Sequence, residues 1–304
     1  MEALLRDKAL LYVTGKGGVG RTTVAATLGL AAAAQGRRTI VCEVAEQDRV
    51  SRAFARHGVK GDEEIELARD LWAITIDPEA ALHEWLSKQL GGGPAGRLVG
   101  HSHAFHHFVA AAPGAKELIT IAKVWELAQL ERWDRHNRTY DLVIVDAPAS
   151  GHGTAMLTAP RTFGEIARVG PIRRQATKVA DMLSDPARTG YVAVALPEEM
   201  PVNETIELEA RLEDAVGLGL DAIVVNGVWP ERFSAADVRR LREASNANGV
   251  VRAALTGHAR AKAQRAQIRR LRGKTDAAVS TLPFLFEADV GLPGYERLAS
   301  ELEL

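Results

Sequence analysis

Short apolar runs alternate along the chain with longer stretches of helical spacing. Ala9 to Thr14 is a continuous apolar run too short for a helix, the pattern of a strand buried on both faces. The alanine-rich stretch from Thr22 to Ala34 predicts a helix. Gln35-Gly36-Arg37-Arg38 stops it and sets cations at its negative end. Further strand-like runs follow at Thr39 to Ala45, Leu71 to Ile76, Tyr140 to Asp146, Gly190 to Leu196, Leu220 to Asn226 and Val279 to Phe284. Between them, Asp77-Pro78-Glu79 reads as a cap and first turn, and Ala80 to Arg138 reads helical with breaks at Gly91-Gly92-Gly93-Pro94 and Ala112-Pro113-Gly114. Leu208, Leu212 and Val216 mark the inner face of a later helix, and Pro293 to Leu304 predicts a final one. The expected fold class is α/β in three layers, with a mainly parallel sheet and a helical lobe inserted at about residues 78–138 of a single domain spanning 1–304.

The first run ends in Gly15-Lys16-Gly17-Gly18-Val19-Gly20-Arg21-Thr22-Thr23. Glycines in these positions let the backbone curl with N–H groups turned inward, and the helix that starts at Arg21 adds its positive end, so the turn is a cradle for an anion. The spacing from Gly15 to Thr22 fits G-x-x-x-x-G-K-[ST], which places Thr22 to ligate a magnesium ion held by nucleotide phosphates. Arg21 stands where the motif has lysine, keeping the charge but replacing a compact ammonium with a planar fork. A second lysine, Lys16, follows the first glycine, which makes this the deviant form of the loop. Asp146 ends its apolar run as a Walker B acid does, placed to accept a hydrogen bond from a magnesium-bound water or from Thr22.

Composition narrows the classes. The 304 residues are 46% apolar and 25% charged with a formal net charge of -1, so no global field calls for nucleic acid or an anionic membrane. The single cysteine, Cys42, rules out an internal disulfide and suits a reducing cytoplasm, and no apolar run approaches a membrane span. Arg252 to Lys274 holds eight basic residues and no acid; with no aromatic among them it reads as a solvated helix face, and nucleic acid is not an expected partner. His101-Ser102-His103-Ala104-Phe105-His106-His107 is the one metal-like cluster, and it reads as a polar rim because no local carboxylate or thiol completes it.

The loop, the run ending near Glu43, the Ile76-Asp77-Pro78-Glu79-Ala80-Ala81-Leu82 segment and Asp146-Ala147-Pro148-Ala149-Ser150-Gly151-His152 together resemble the arsenite-pump and tail-anchored-protein-targeting ATPases, a family of deviant P-loop ATPases. The resemblance implies a P-loop NTPase fold, ATP and Mg2+ as ligands, and a dimer, with itself or with a related ATPase, in which Lys16 reaches the other subunit's phosphates. It implies base contacts from Asn226, with a turn-forming Asn-Gly pair as the plainer reading, and from Pro283 and Phe284. The family's water-orienting aspartate falls on Ala45, whose methyl group holds no water. Glu43, by holding a magnesium-bound water, and Glu46 or Asp48 are the alternatives, and all stand open. The chain has only four methionines and no C-x-x-C pair, so the client groove and zinc clamp of the targeting members do not carry over. Its protein partner is unidentified. Two functional readings follow: an ATPase, slow because of Arg21 and Ala45, that couples nucleotide state to a partner, or a non-catalytic nucleotide-binding subunit paired with an active paralogue.

Overall fold

The computed structural model describes residues 1–44, 49–54, 62–89, 114–134, 137–167, 169–243, 249–287 and 290–302. The apolar runs become strands β1 (Leu10–Gly15), β2 (Thr39–Glu43), β4 (Leu71–Thr75), β5 (Leu142–Asp146), β6 (Thr189–Ala195), β7 (Ala222–Val228) and β8 (Ala278–Pro283), joined by a short β3 (Ile65–Ala68). They form one sheet in the order β3-β4-β2-β5-β1-β6-β7-β8. Every pairing is parallel except β3 with β4. β1 sits between β5 and β6, so residues at its C-terminal end face acids and carbonyls from strands far away in the chain. The carboxyl ends of parallel strands share a crevice, and the connection from β5 to β6 crosses over β1 there.

Side chains of β1 alternate between two cores. Leu10 and Tyr12 point into one cluster, Leu11 and Val13 into the other, as a period of two requires for a strand covered on both faces. The second face is covered by α1 (Glu2–Asp7), α2 (Arg21–Ala34), α3 (Arg49–Ala53) and α11 (Leu292–Glu301). The first is covered by α4 (Pro78–Gln89), α5 (Ala115–Leu127), α6 (Ser150–Ile166), α7 (Pro171–Leu183), α8 (Glu199–Val216) and α10 (Gly249–Arg272), with α9 (Ala235–Glu243) preceding α10. The three-layer α/β expectation holds. The apolar pattern does not mark β3, α6 or α7. β3 is a four-residue edge strand with only Leu67 buried, and α6 carries Pro160 within it. Of the stretch 78–138, α4 and α5 are described, and both contribute to the core shared with β4 and β5.

α5 turns charges inward. Arg132, just beyond it, is 3% exposed and pairs with Glu126 at 2.5 Å and Glu64 at 2.6 Å. Lys123 bonds Glu84 of α4 and lies 3.2 Å from Glu126, and the Tyr140 hydroxyl donates to Glu64 Oε2 at 2.7 Å. The cluster thus ties α4, α5 and the segment leading into β3. Each ion was costly to desolvate, so its partners hold it there rather than add net stability. Arg132→Met should therefore lose about 3–5 kcal/mol in urea unfolding, because it takes the nearest cation from both Glu126 and Glu64 and leaves the buried Glu126 with Lys123 as its one remaining cation among the described residues.

Asp62 lies at the rim of that cluster, with φ of 70° and its backbone N–H donating to the Thr75 carbonyl. Burial pushes its carboxyl up to about 6; Lys123 pulls the other way, while Glu84, Asp77 and Glu126 add to the rise. A raised folded-state value means the folded chain binds the extra proton, so Asp62's contribution is present in acid and is lost as pH climbs through about 6. Asn tolerates positive φ, so Asp62→Asn isolates the charge. The variant's melting temperature should gain on the parent's between pH 4 and 7 and hold that gain above pH 7, measured by scanning calorimetry across that range.

Candidate functional site

The Gly-rich turn leaves β1 against β6. A Cβ on Gly15, whose φ is 150°, would stand 2.4 Å from the Val194 carbonyl oxygen, so the turn can start only at glycine. At the other end Gly20 has φ of 89°, and a Cβ there would meet Asn226 Nδ2 at 2.2 Å. Between them Val19 is buried, while Gly17 and Gly18 are exposed at the tip. Asn226 Nδ2 donates to the Val19 carbonyl at 3.0 Å, which pins the turn from the side of β7.

Beneath the turn, Thr22 Oγ1 donates to Asp146 Oδ2 at 2.6 Å. Burial raises the Asp146 carboxyl from its ordinary value, opposed by the Thr22 bond and by the charges of Arg21 and Arg49. Its other oxygen, Oδ1, is buried with no hydrogen-bond partner among the described residues. A hydroxyl and a carboxylate in contact, with one oxygen unspent, are hard oxygen donors of the kind magnesium takes, so Thr22 and Asp146 fit that ion. Thr23 lies in the first turn of α2, where its carbonyl accepts from the Thr27 hydroxyl at 2.7 Å.

Two cations depart from a simple cradle. Arg21 Nη1 donates to the Gly15 carbonyl at 2.8 Å, folding the guanidinium back onto the turn's own start, and its Nε is buried without a partner among the described residues. Burial lowers its affinity for the proton, and the nearby Asp146 restores part of it. Lys16 turns away from the cradle and pairs with Glu204 of α8 at 2.6 Å.

Glu43 ends β2 level with Asp146 on β5 and is 2% exposed. Its Oε1 accepts from the backbone N–H of Arg49 at 2.8 Å and of Val50 at 3.1 Å, which anchors the start of α3. Arg49 has no place in the motif reading, yet its charge acts on both Asp146 and Arg21. Ala45, Glu46 and Asp48 lie outside the described residues, as does the His101 to His107 cluster.

On the other flank the β7–β8 register shifts between Val225 and Val228, and Gly227 has φ of 70°. The Asn-Gly pair thus makes a bulge within β7 rather than a turn, and the bulge re-aims Asn226 toward the loop. Pro283 pairs with Val228, and the Phe284 N–H donates to the Val228 carbonyl at 2.9 Å. Phe284 packs with Trp229 and Phe286, ring centroids 5.7 and 4.9 Å away. Arg260 of α10 stacks over Trp229 at 4.8 Å and lies 3.7 Å from Glu198. Aromatic rings therefore do stand beside the basic helix, brought there by β7 and β8 from outside its own sequence.

The family model described as anion-transporting ATPase matches residues 8–177 and 166–251. ATPase BagA of Mycobacterium tuberculosis is 30% identical over 251 residues, covering 81% of this chain and 73% of the relative. The arsenical pump-driving ATPase of Escherichia coli is 25% identical over 270 residues, 78% of this chain but 42% of that protein. ATPase GET3 of Kluyveromyces lactis is 25% identical over 261 residues, 75% of this chain and 74% of that protein. The matched span holds the Gly-rich turn, Thr22, Asp146 and Asn226 alike, and the chain belongs to the anion-transporting ATPase family.

Proposed function

We propose that the chain is a magnesium-dependent ATP-binding protein and slow ATPase that works as a dimer and couples its nucleotide state to a protein partner. The observation that carries this is the Thr22–Asp146 bond of 2.6 Å beneath the Gly15 to Thr23 turn, with Asp146 Oδ1 buried and unspent. Thr22 and Asp146 would hold magnesium, which draws charge from the phosphates as the terminal one is transferred. The loop's backbone N–H groups and Arg21 set the phosphates in line, and Lys16 adds a cation from its own or a second copy. Asn226, Pro283 and Phe284 take the base, the amide reading its edge and the ring its face.

The binding reading is tested by calorimetry. ATP with magnesium should bind, and Thr22→Ala should lose at least tenfold in affinity with magnesium while changing little without it. Gly20→Val should abolish binding outright, since its side chain lands on Asn226. A folded chain that binds no ATP overturns the proposal.

A second reading, a non-catalytic subunit paired with an active paralogue, is favoured by one specific observation: the Arg21 guanidinium is bonded to Gly15. Together with Ala45 it points to retained binding and reduced chemistry. A positioned acid-base group is worth about 10²- to 10⁴-fold, so Ala45→Asp should raise turnover by part of that range, Arg21→Lys by less, and the pair by most, with affinity for ATP little changed. Turnover in the parent equal to that of the double change would assign water orientation to Glu46 or Asp48. No turnover in the parent or any variant, with binding intact, would favour the paired-subunit reading.

A further inference from the structure

Lys16 leaves the loop on the side of β6, which feeds α8 through Leu196 and Pro197. The first turns of α8 therefore stand beside the loop, and Met200 and Glu204, four apart, share the face that meets it. Lys16 Nζ donates to Glu204 Oε1 at 2.6 Å and approaches Met200 Sδ at 3.7 Å. Both members of the ion pair keep contact with water, at 41% and 38% side-chain exposure. The other oxygen, Glu204 Oε2, is buried with no hydrogen-bond partner among the described residues. The Lys16 amine is thus the principal partner of a half-buried carboxylate, although it belongs to a loop built for phosphate.

We propose that Glu204 is a positioning residue that holds Lys16 while no phosphate is in reach, and that bound nucleotide draws Lys16 off Glu204 onto phosphate. This rests on the ATP reading of the loop. A half-exposed pair is weak, so a triphosphate can displace it. Departure of Lys16 leaves Glu204 half-buried and unpaired, and that cost sets a threshold: Lys16 moves only when a phosphate, in its own cradle or in that of a second copy, takes it up. The apparent affinity for nucleotide scales with the fraction of chains whose Lys16 is free of Glu204.

Two measurements on the full chain test this. The first follows reductive methylation of Lys16 without nucleotide, site by site by mass spectrometry. Glu204→Gln keeps the shape and removes the charge, and should raise the rate at Lys16 by about threefold or more relative to the other lysines. The second is the affinity for a non-hydrolysable ATP analogue with magnesium. Glu204→Gln should tighten it by about two- to fivefold in the parent and leave it unchanged in a Lys16→Ala background, since the gain runs through that amine. An unchanged methylation rate overturns the proposal. So does a gain that survives Lys16→Ala, which would mean simple removal of a negative charge near the phosphates, and so does an unchanged affinity in a chain that binds the analogue. If no variant binds the analogue, the ATP reading fails and the exchange with it, while a raised methylation rate would place that failure in the ligand and not in the pair.

Discussion

The phosphate loop is clamped from two sides by strands that neighbour its own only after the sheet has closed. Asp146, at the end of β5, takes the Thr22 hydroxyl from below, and Asn226, on β7, takes the Val19 carbonyl from the flank. These partners are 124 and 207 residues away in sequence, so the loop has its working shape only in the assembled sheet. The clamps are hydrogen bonds of 2.6 and 3.0 Å to side chains carried on strands of the sheet. A loop rich in glycine carries a large entropy when free, and the clamps remove it before any ligand arrives.

The buried charges around Arg132 play a comparable part at the β3 edge of the sheet. The edge strand β3 has one antiparallel neighbour and little apolar surface, so its pairing alone is a poor anchor. Glu64 immediately before it is bonded by both Arg132 and Tyr140, which fixes where the strand enters the sheet. The aromatic ring of Tyr140 also tilts against Trp72 of β4 at 5.6 Å, joining apolar and charged contacts in one corner.

The core strands and the loop were legible because their signals are local. Leu142 to Asp146 is an unbroken apolar run closed by an acid, and it could be little else than a buried parallel strand. β3 was not legible, since Ile65-Glu66-Leu67-Ala68 buries a single side chain and follows three consecutive acids. α6 was hidden by glycines, threonines and Pro160, poor helix formers that tertiary packing overrides. Asn226 reads in the sequence as a base contact with a turn as the plain alternative, and its place in a bulge follows from register, which no single strand encodes. The partner of Lys16 lies 188 residues away, and no spacing rule reaches that far. Arg49 carries no sequence signal for a different reason, because it acts by its field and not through any motif.

Glu43 grips α3 through the main-chain N–H groups of Arg49 and Val50. Every residue except proline brings an N–H to such a bond, so these two bonds do not depend on which side chains stand at positions 49 and 50. A change of side chain at position 49 therefore leaves both bonds in place. A cation can stand at Arg49, where its charge acts on Asp146, without loosening the helix that it begins. Within a shared scaffold, the chemistry beside the phosphates can in this way be rewritten one residue at a time while the frame that presents it is inherited intact.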